Sequence, residues 1–307
     1  MVTTYLVIKR SNVGPGTGVH VTGAAHCPCP SLSCQHWRAT DQDKCIFENK
    51  CENFNQPLND WNVSNVTNMK GMFHMAESFN QSLHSWDVSN VKDMSNMFDG
   101  CKYFNRALNS WNVSNVRNMS YMFNGCQRFN QLLNNWKVDE VRNMSNMFSG
   151  CERFNQPLND WNVAEVKYMR FMFGWCSRFN QPINNWDVSN VTNTSYMFFY
   201  AKKFNQPLID WKTQNITNAS HMFEHALEFN QNLSTWIFST KTNTYNMFHE
   251  TPMQSKKKFH PSTAENLAKL SFLHMSAQER DEDNNNNKDR KSTRLNSSHQ
   301  IISYAVF

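Results

Sequence analysis

Nine cysteines and eleven histidines are the side chains of this chain best suited to bind a metal or attack a substrate. Cys27, Cys29 and Cys34 crowd near His26 and His36. Their Cys-x-Cys-x4-Cys-x-His spacing matches none of the usual structural zinc pairs, and Pro28 and Pro30 stiffen the loop, so no metal is assigned there. Cys101, Cys126, Cys151 and Cys176 recur every 25 residues, at a position that holds alanine as Ala76, Ala201 and Ala226. That position asks for a small apolar side chain, and no sulfur chemistry is implied. His74, His84, His221, His225 and His249 have no recurring acid or nucleophile partner. With no triad, no paired carboxylates and no phosphate loop, the residues point to a non-enzymatic protein with no catalytic residue and no cofactor.

The interval of 25 organises the rest. Phe stands at 54, 79, 104, 129, 154, 179, 204 and 229, Trp at 61, 86, 111, 136, 161, 186, 211 and 236. The Asn after each Phe (Asn55 to Asn230) and the Met-Phe pair (Met72-Phe73 to Met247-Phe248) are constant in all eight units. A register kept without insertion means one structural turn per unit, because one added residue would shift every later side chain off its stack.

Within the unit Phe154–Arg178, Phe154, Leu158 and Trp161 lie in a segment where proline recurs (Pro57, Pro157, Pro182, Pro207), which predicts an extended strand side pairing in parallel with its neighbours. Met169, Met172, Phe173 and Cys176 follow an i, i+3, i+4, i+7 pattern, which predicts two turns of helix capped by Asn or Thr-Asn, as at Asn143 and Thr67-Asn68. The expected fold class is therefore an α/β repeat solenoid, leucine-rich-repeat-like, with eight 25-residue units each holding a short extended segment and a short helix. The expected boundaries are an atypical, disordered leader over 1–44, the solenoid with its N-terminal cap over 45–251, and a capping helix over 252–280 that opens at Ser262-Thr263. A disordered Asn-rich tail over 281–288 follows, then 289–307, which resemble a translated sequencing adapter and are set aside from fold and function.

The net charge of +5 sits on the flanks: residues 51–250 carry 16 Lys and Arg against 16 Asp and Glu. A neutral array lacks the footprint for a phosphate backbone, so no nucleic-acid partner is expected. No apolar run is long enough to span a bilayer. No secretory signal is visible at Met1–Arg10, which leaves cytosolic synthesis or a missing N-terminus as the readings.

Function is expected where units differ. Tyr168, Phe171, Trp175, Tyr196, Phe199 and Tyr200 bring aromatics into columns that are polar or glycine elsewhere, which makes them the candidate partner-binding residues, for a protein or a surface glycan. Rings filling a local packing gap are the alternative. The repeated Asn-x-Ser/Thr triplets at Asn62, Asn65, Asn118, Asn143, Asn190 and Asn215 fall in turn and cap columns and read as backbone-bonding residues. The constant Asn column reads as a hydrogen-bonding stack.

Units such as FNQPLNDWNVSNVTNMKGMFHMAES (54–78) resemble the repeats of BspA-like leucine-rich-repeat surface proteins, in the mycoplasma-type form of unknown function. The resemblance covers about 45–251, and the Met-x-x-Met-Phe-x-x-Cys segment at Met144–Cys151 is similar to that family's Ile-x-x-x-Ala-Phe-x-x-Cys. It implies a non-enzymatic protein-binding or adhesion module, at the cell surface or secreted. A cytoplasmic interaction scaffold and a glycan-binding module are the alternatives, and the oligomeric state stays open.

Overall fold

The computed structural model describes residues 9–10 and 52–263. The chain divides into two bodies, 1–261 and 262–307, and Ser262–Thr263 is the described part of the second. The cysteine-rich leader, the predicted cap at Cys45–Cys51, the Asn-rich tail and 289–307 otherwise lie outside the described residues. Regular elements are sparse: β1 (Lys9–Arg10) pairs antiparallel with β2 (Trp61–Asn62), β3 is Ile237–Phe238, a 3-10 turn spans Lys257–Phe259, and β4 is Ser262–Thr263.

The first body is a stack of 25-residue coils, and unit five (154–178) shows how one is wound. Local bonds from residue i+3 back to residue i close turns at Leu158–Trp161 (3.2 Å), Val163–Val166 (2.9 Å), Met169–Met172 (3.1 Å), Phe171–Gly174 (3.0 Å) and Phe173–Cys176 (3.1 Å). The amides between these bond along the stack. Met169, Phe171, Phe173 and Trp175 donate to the carbonyls of Asn193, Ser195, Met197 and Phe199 at 2.6–3.0 Å. The carbonyls of Tyr168, Arg170, Met172 and Gly174 accept from unit four at 2.8–3.0 Å. Each of these four peptide planes thus accepts from the unit before and donates to the unit after. Four files of peptides run through the stack with every N–H aimed at the later units, which satisfies backbone groups that would be costly to bury unpaired.

This pattern overturns the predicted α/β, leucine-rich-repeat-like class. No described unit contains a helix. The i, i+3, i+4, i+7 spacing is real, and Met169, Met172, Phe173 and Cys176 are all fully buried. It arises from overlapping turns, not from i→i−4 bonds. A helix is interrupted twice per unit by backbone in the left-handed region, at Phe171 (φ 54°) and Trp175 (φ 57°) in unit five. The two columns hold positive φ in all eight units. The predicted N-caps are Asx turns: Asn143 Oδ1 accepts the Ser145 N–H at 3.0 Å and Asn68 Oδ1 the Lys70 N–H at 2.9 Å. Parallel bridging falls on this side too, through Asn118, Asn143, Tyr168 and Asn193, and not on the Phe154–Trp161 side where strands were expected.

The extended side is joined by side chains instead. Asn130 Oδ1 accepts the Asn155 N–H at 2.9 Å, and Asn155 Oδ1 accepts the Asn180 N–H at 2.9 Å; the same bond repeats along the whole constant Asn column. Between the two walls lie columns of identical rings. Phe129 and Phe154 stack at 6.0 Å, Phe148 and Phe173 at 5.8 Å, Trp136 and Trp161 at 6.5 Å. Each buried indole N–H has a partner one coil back, as Trp161 Nε1 has in the Leu133 carbonyl at 2.9 Å. One coil alone would leave both faces of these rings in water, so stacking is what stabilises each unit.

At the far end the core is closed by the segment after unit eight. Met253 is fully buried, His260 lies 4.4 Å from the Phe248 ring, and the Phe259 carbonyl accepts the Leu233 N–H at 2.8 Å. Of the capping helix predicted over 252–280 and opening at Ser262-Thr263, Ser262–Thr263 is extended, and everything after it lies outside the described residues.

Candidate functional site

The two left-handed columns decide where the surface can vary. Gly71, Asn96, Asn146 and Asn246 occupy the first, and Gly100, Gly125 and Gly150 the second, residue types that take positive φ at little cost, while Tyr121 in the first and Met75 and Glu250 in the second stand as single larger residues. Units five to seven place Phe171 and Trp175, Tyr196 and Tyr200, and His221 and His225 in the same two columns, all at φ 54–59°. Large side chains there carry roughly 1 kcal/mol of backbone strain each. Their side chains leave the coil on its outer face, next to the column that holds Gly174, Phe199, Glu224 and His249.

Five of the six sequence-predicted residues meet. Phe171 stacks on Trp175 at 5.3 Å and on Tyr196 at 4.4 Å, and Phe199 stands edge-on to Phe171, Trp175, Tyr196 and Tyr200 at 4.7–5.9 Å. Arg170 borders the strip, 5.3 Å from the Phe171 ring centre and 5.8 Å from that of Tyr196. Gly174 makes the arrangement possible, since a Cβ there would sit 2.7 Å from Phe171 Cδ1. Trp175 keeps 44% of its surface exposed. Tyr168 is exposed as well, in the bridged column between Asn143 and Asn193, and no ring contact joins it to the other five among the described residues.

The strip continues into a group of histidines and acids absent from the sequence-predicted site. His221 stacks on Tyr196 at 4.4 Å, and His225 lies 4.1 Å from Tyr200. Glu224, buried, receives His221 Nδ1 on Oε2 and has His249 Nδ1 3.0 Å from Oε1. His225 Nδ1 is 2.9 Å from Glu250 Oε2, and the His225 and His249 rings are 5.8 Å apart. The signal was present as Glu224-His225 followed 25 residues later by His249-Glu250, which sets each acid against a histidine of the neighbouring coil. Ligand atoms of Glu224, His225 and His249 all lie within 4.8 Å of one another.

The thiol column offers no comparable chemistry. Burial pushes the thiols of Cys101, Cys126, Cys151 and Cys176 well above the usual range, and each Sγ lies 2.9–3.1 Å from a phenylalanine carbonyl one coil back. A thiol held protonated is neither nucleophile nor redox sensor. No helix among the described residues is long and apolar enough to cross a membrane.

No curated protein and no solved structure matches the chain. A family model described as "Mycoplasma protein of unknown function, DUF285" matches it three times in overlapping register, over residues 40–126, 99–198 and 161–261. These spans contain every coil of the stack together with the aromatic and histidine strip, and on that ground the chain belongs to the DUF285 family.

Proposed function

We propose that the chain is a non-enzymatic interaction module that binds a partner protein through Phe171, Trp175, Tyr196, Phe199 and Tyr200, with Tyr168 beside them. One observation carries the reading: units five and six hold bulky rings in both left-handed positions, where glycine or asparagine fills four of the other six units in the first column and three of six in the second. Their mutual ring contacts do no more than offset the backbone strain that glycine would avoid, so the rings serve something outside the core. Clustered aromatics edged by an arginine have the composition of an interface centre. The resemblance to BspA-like surface proteins supports display at a cell surface or secretion, with adhesion as the outcome. A glycan-binding role is the second reading, favoured by the flat, 44%-exposed face of Trp175; an intracellular scaffold is the same activity in another compartment.

The test uses the full chain on an array of purified surface and extracellular proteins and on a glycan array, beside the variant Phe171→Asn/Trp175→Gly/Tyr196→Asn/Tyr200→Gly. Protein spots that vanish with the variant are expected. Glycan spots that vanish instead select the second reading, and binding equal in both chains removes the strip from the function. Fractionation of cells expressing the full-length gene decides the compartment, a solely cytosolic product removing adhesion.

A further inference from the structure

The geometry points to a transition-metal site of the zinc class formed by Glu224, His225 and His249, which ties coil seven to coil eight. Each requirement of such a site has a counterpart. Zinc takes imidazole nitrogen and carboxylate oxygen at about 2.0–2.2 Å in a tetrahedral array, which places ligand atoms about 3.3 Å apart. Glu224 Oε1 and His249 Nδ1 stand at 3.0 Å, and the widest of the separations among the three ligand atoms is within 4.8 Å, so rotation of the partly exposed imidazoles closes the set. Two imidazoles with a carboxylate suit zinc, nickel, cobalt or ferrous iron better than calcium or magnesium, which want oxygen alone.

The surroundings are those of a held ligand set. Glu224 is buried, and its second oxygen meets His221 Nδ1, an outer contact that fixes the carboxylate while leaving Oε1 toward His249. Glu250 Oε2, 2.9 Å from His225 Nδ1, brings a second carboxylate to the same opening. His225 and His249 are partly exposed, so an ion enters from solvent and keeps a coordination position open toward it. The place in the stack also fits. Coil eight has lost burial that the other coils keep: Lys241 is exposed in a column of buried valine or isoleucine, and Thr244 is exposed in a column whose other members, Thr194 and Ala219 included, are buried, so a bond from coil seven holds the coil least secured by its core. His221 is a positioning residue that acts through Glu224.

The proposal stands apart from the aromatic strip's role, and its test reads metal alone. The full chain is freed of metal, then titrated with Zn²⁺ by calorimetry and with Co²⁺ by visible absorption, beside His225→Ala/His249→Ala, Glu224→Gln and a Cys27→Ser/Cys29→Ser/Cys34→Ser variant that removes the leader thiols. One ion per chain, tetrahedral Co²⁺ bands without thiolate charge transfer, a metal-dependent rise in Tm, and affinity unchanged in the serine variant are expected. Affinity should fall at least 10- to 100-fold in the other two variants, with Glu224→Gln retaining the wild-type fold. No saturable binding, or binding that survives His225→Ala/His249→Ala, or binding lost only with the leader cysteines, would overturn it.

Discussion

Asn155 shows how one side chain secures two coils. Its Oδ1 accepts the Asn180 N–H at 2.9 Å and the Gln181 side-chain amide at 3.1 Å. Asn155→Ala leaves that backbone donor without its partner and should cost about 1–3 kcal/mol in urea unfolding. Asn155→Asp keeps an acceptor in place and should cost less. The thiols give a pH signature. Because burial raises their folded pKa, they are protonated in both states below the unfolded value of about 8.5, where their contribution is complete. As pH rises further, the unfolded chain releases protons that the folded chain retains, and stability falls. Cys126→Ala, the residue found in that column at Ala76, should lose correspondingly less between pH 8 and 10 in the same denaturation series.

At the scale of the element, the sequence displayed the register, the inward columns and the constant Asn stack, because a 25-residue period repeats each residue's environment eight times. It did not display the local conformation. Overlapping turns place Met169, Met172, Phe173 and Cys176 inward at the same spacing as a helix, so periodicity cannot separate the two. The discriminating sign was Asn and Gly four residues apart inside the supposed helix, as in Asn96 and Gly100 and in Asn146 and Gly150, residues that suit left-handed backbone and not helix interior. The histidine group was less legible for another reason: acid and imidazole face each other within a single column, His249 one period after Glu224 and Glu250 one period after His225, and each pairing occurs once instead of recurring through the units. Two measurements follow at this scale. Circular dichroism of the full chain should lack a helical minimum over the stack, and a spectrum needing a helix per unit would contradict the coil. Gly174→Ala should move the Phe171 ring, whose Cδ1 would lie 2.7 Å from the new Cβ, and alter Trp175 fluorescence while the buried Phe173 stack stays in place.

The whole stack behaves as a one-dimensional object whose coils contact only their neighbours. Four files of hydrogen-bonded peptides and the ring columns require the period, not any particular coil. Removing residues 104–128 should therefore leave a cooperative, shorter stack, whereas removing 105–128 should abolish cooperative unfolding, because each later side chain would face the wrong column. The same logic separates what holds the molecule from what it carries. Phe171 and Phe173 are two residues apart, yet Phe173 is fully buried in a ring column while Phe171 lies in a strained, replaceable position on the outer face. Denaturant unfolding of Phe171→Asn/Trp175→Gly/Tyr196→Asn/Tyr200→Gly beside Phe173→Ala puts that distinction to its most direct test. Relief of left-handed strain offsets lost ring contacts of about 0.5–1.5 kcal/mol each, so the fourfold variant should stay within about 2 kcal/mol of the parent, while Phe173→Ala alone loses about 3–5 kcal/mol. A fourfold variant as destabilised as Phe173→Ala would make the strip part of the core and contradict its assignment as the working surface.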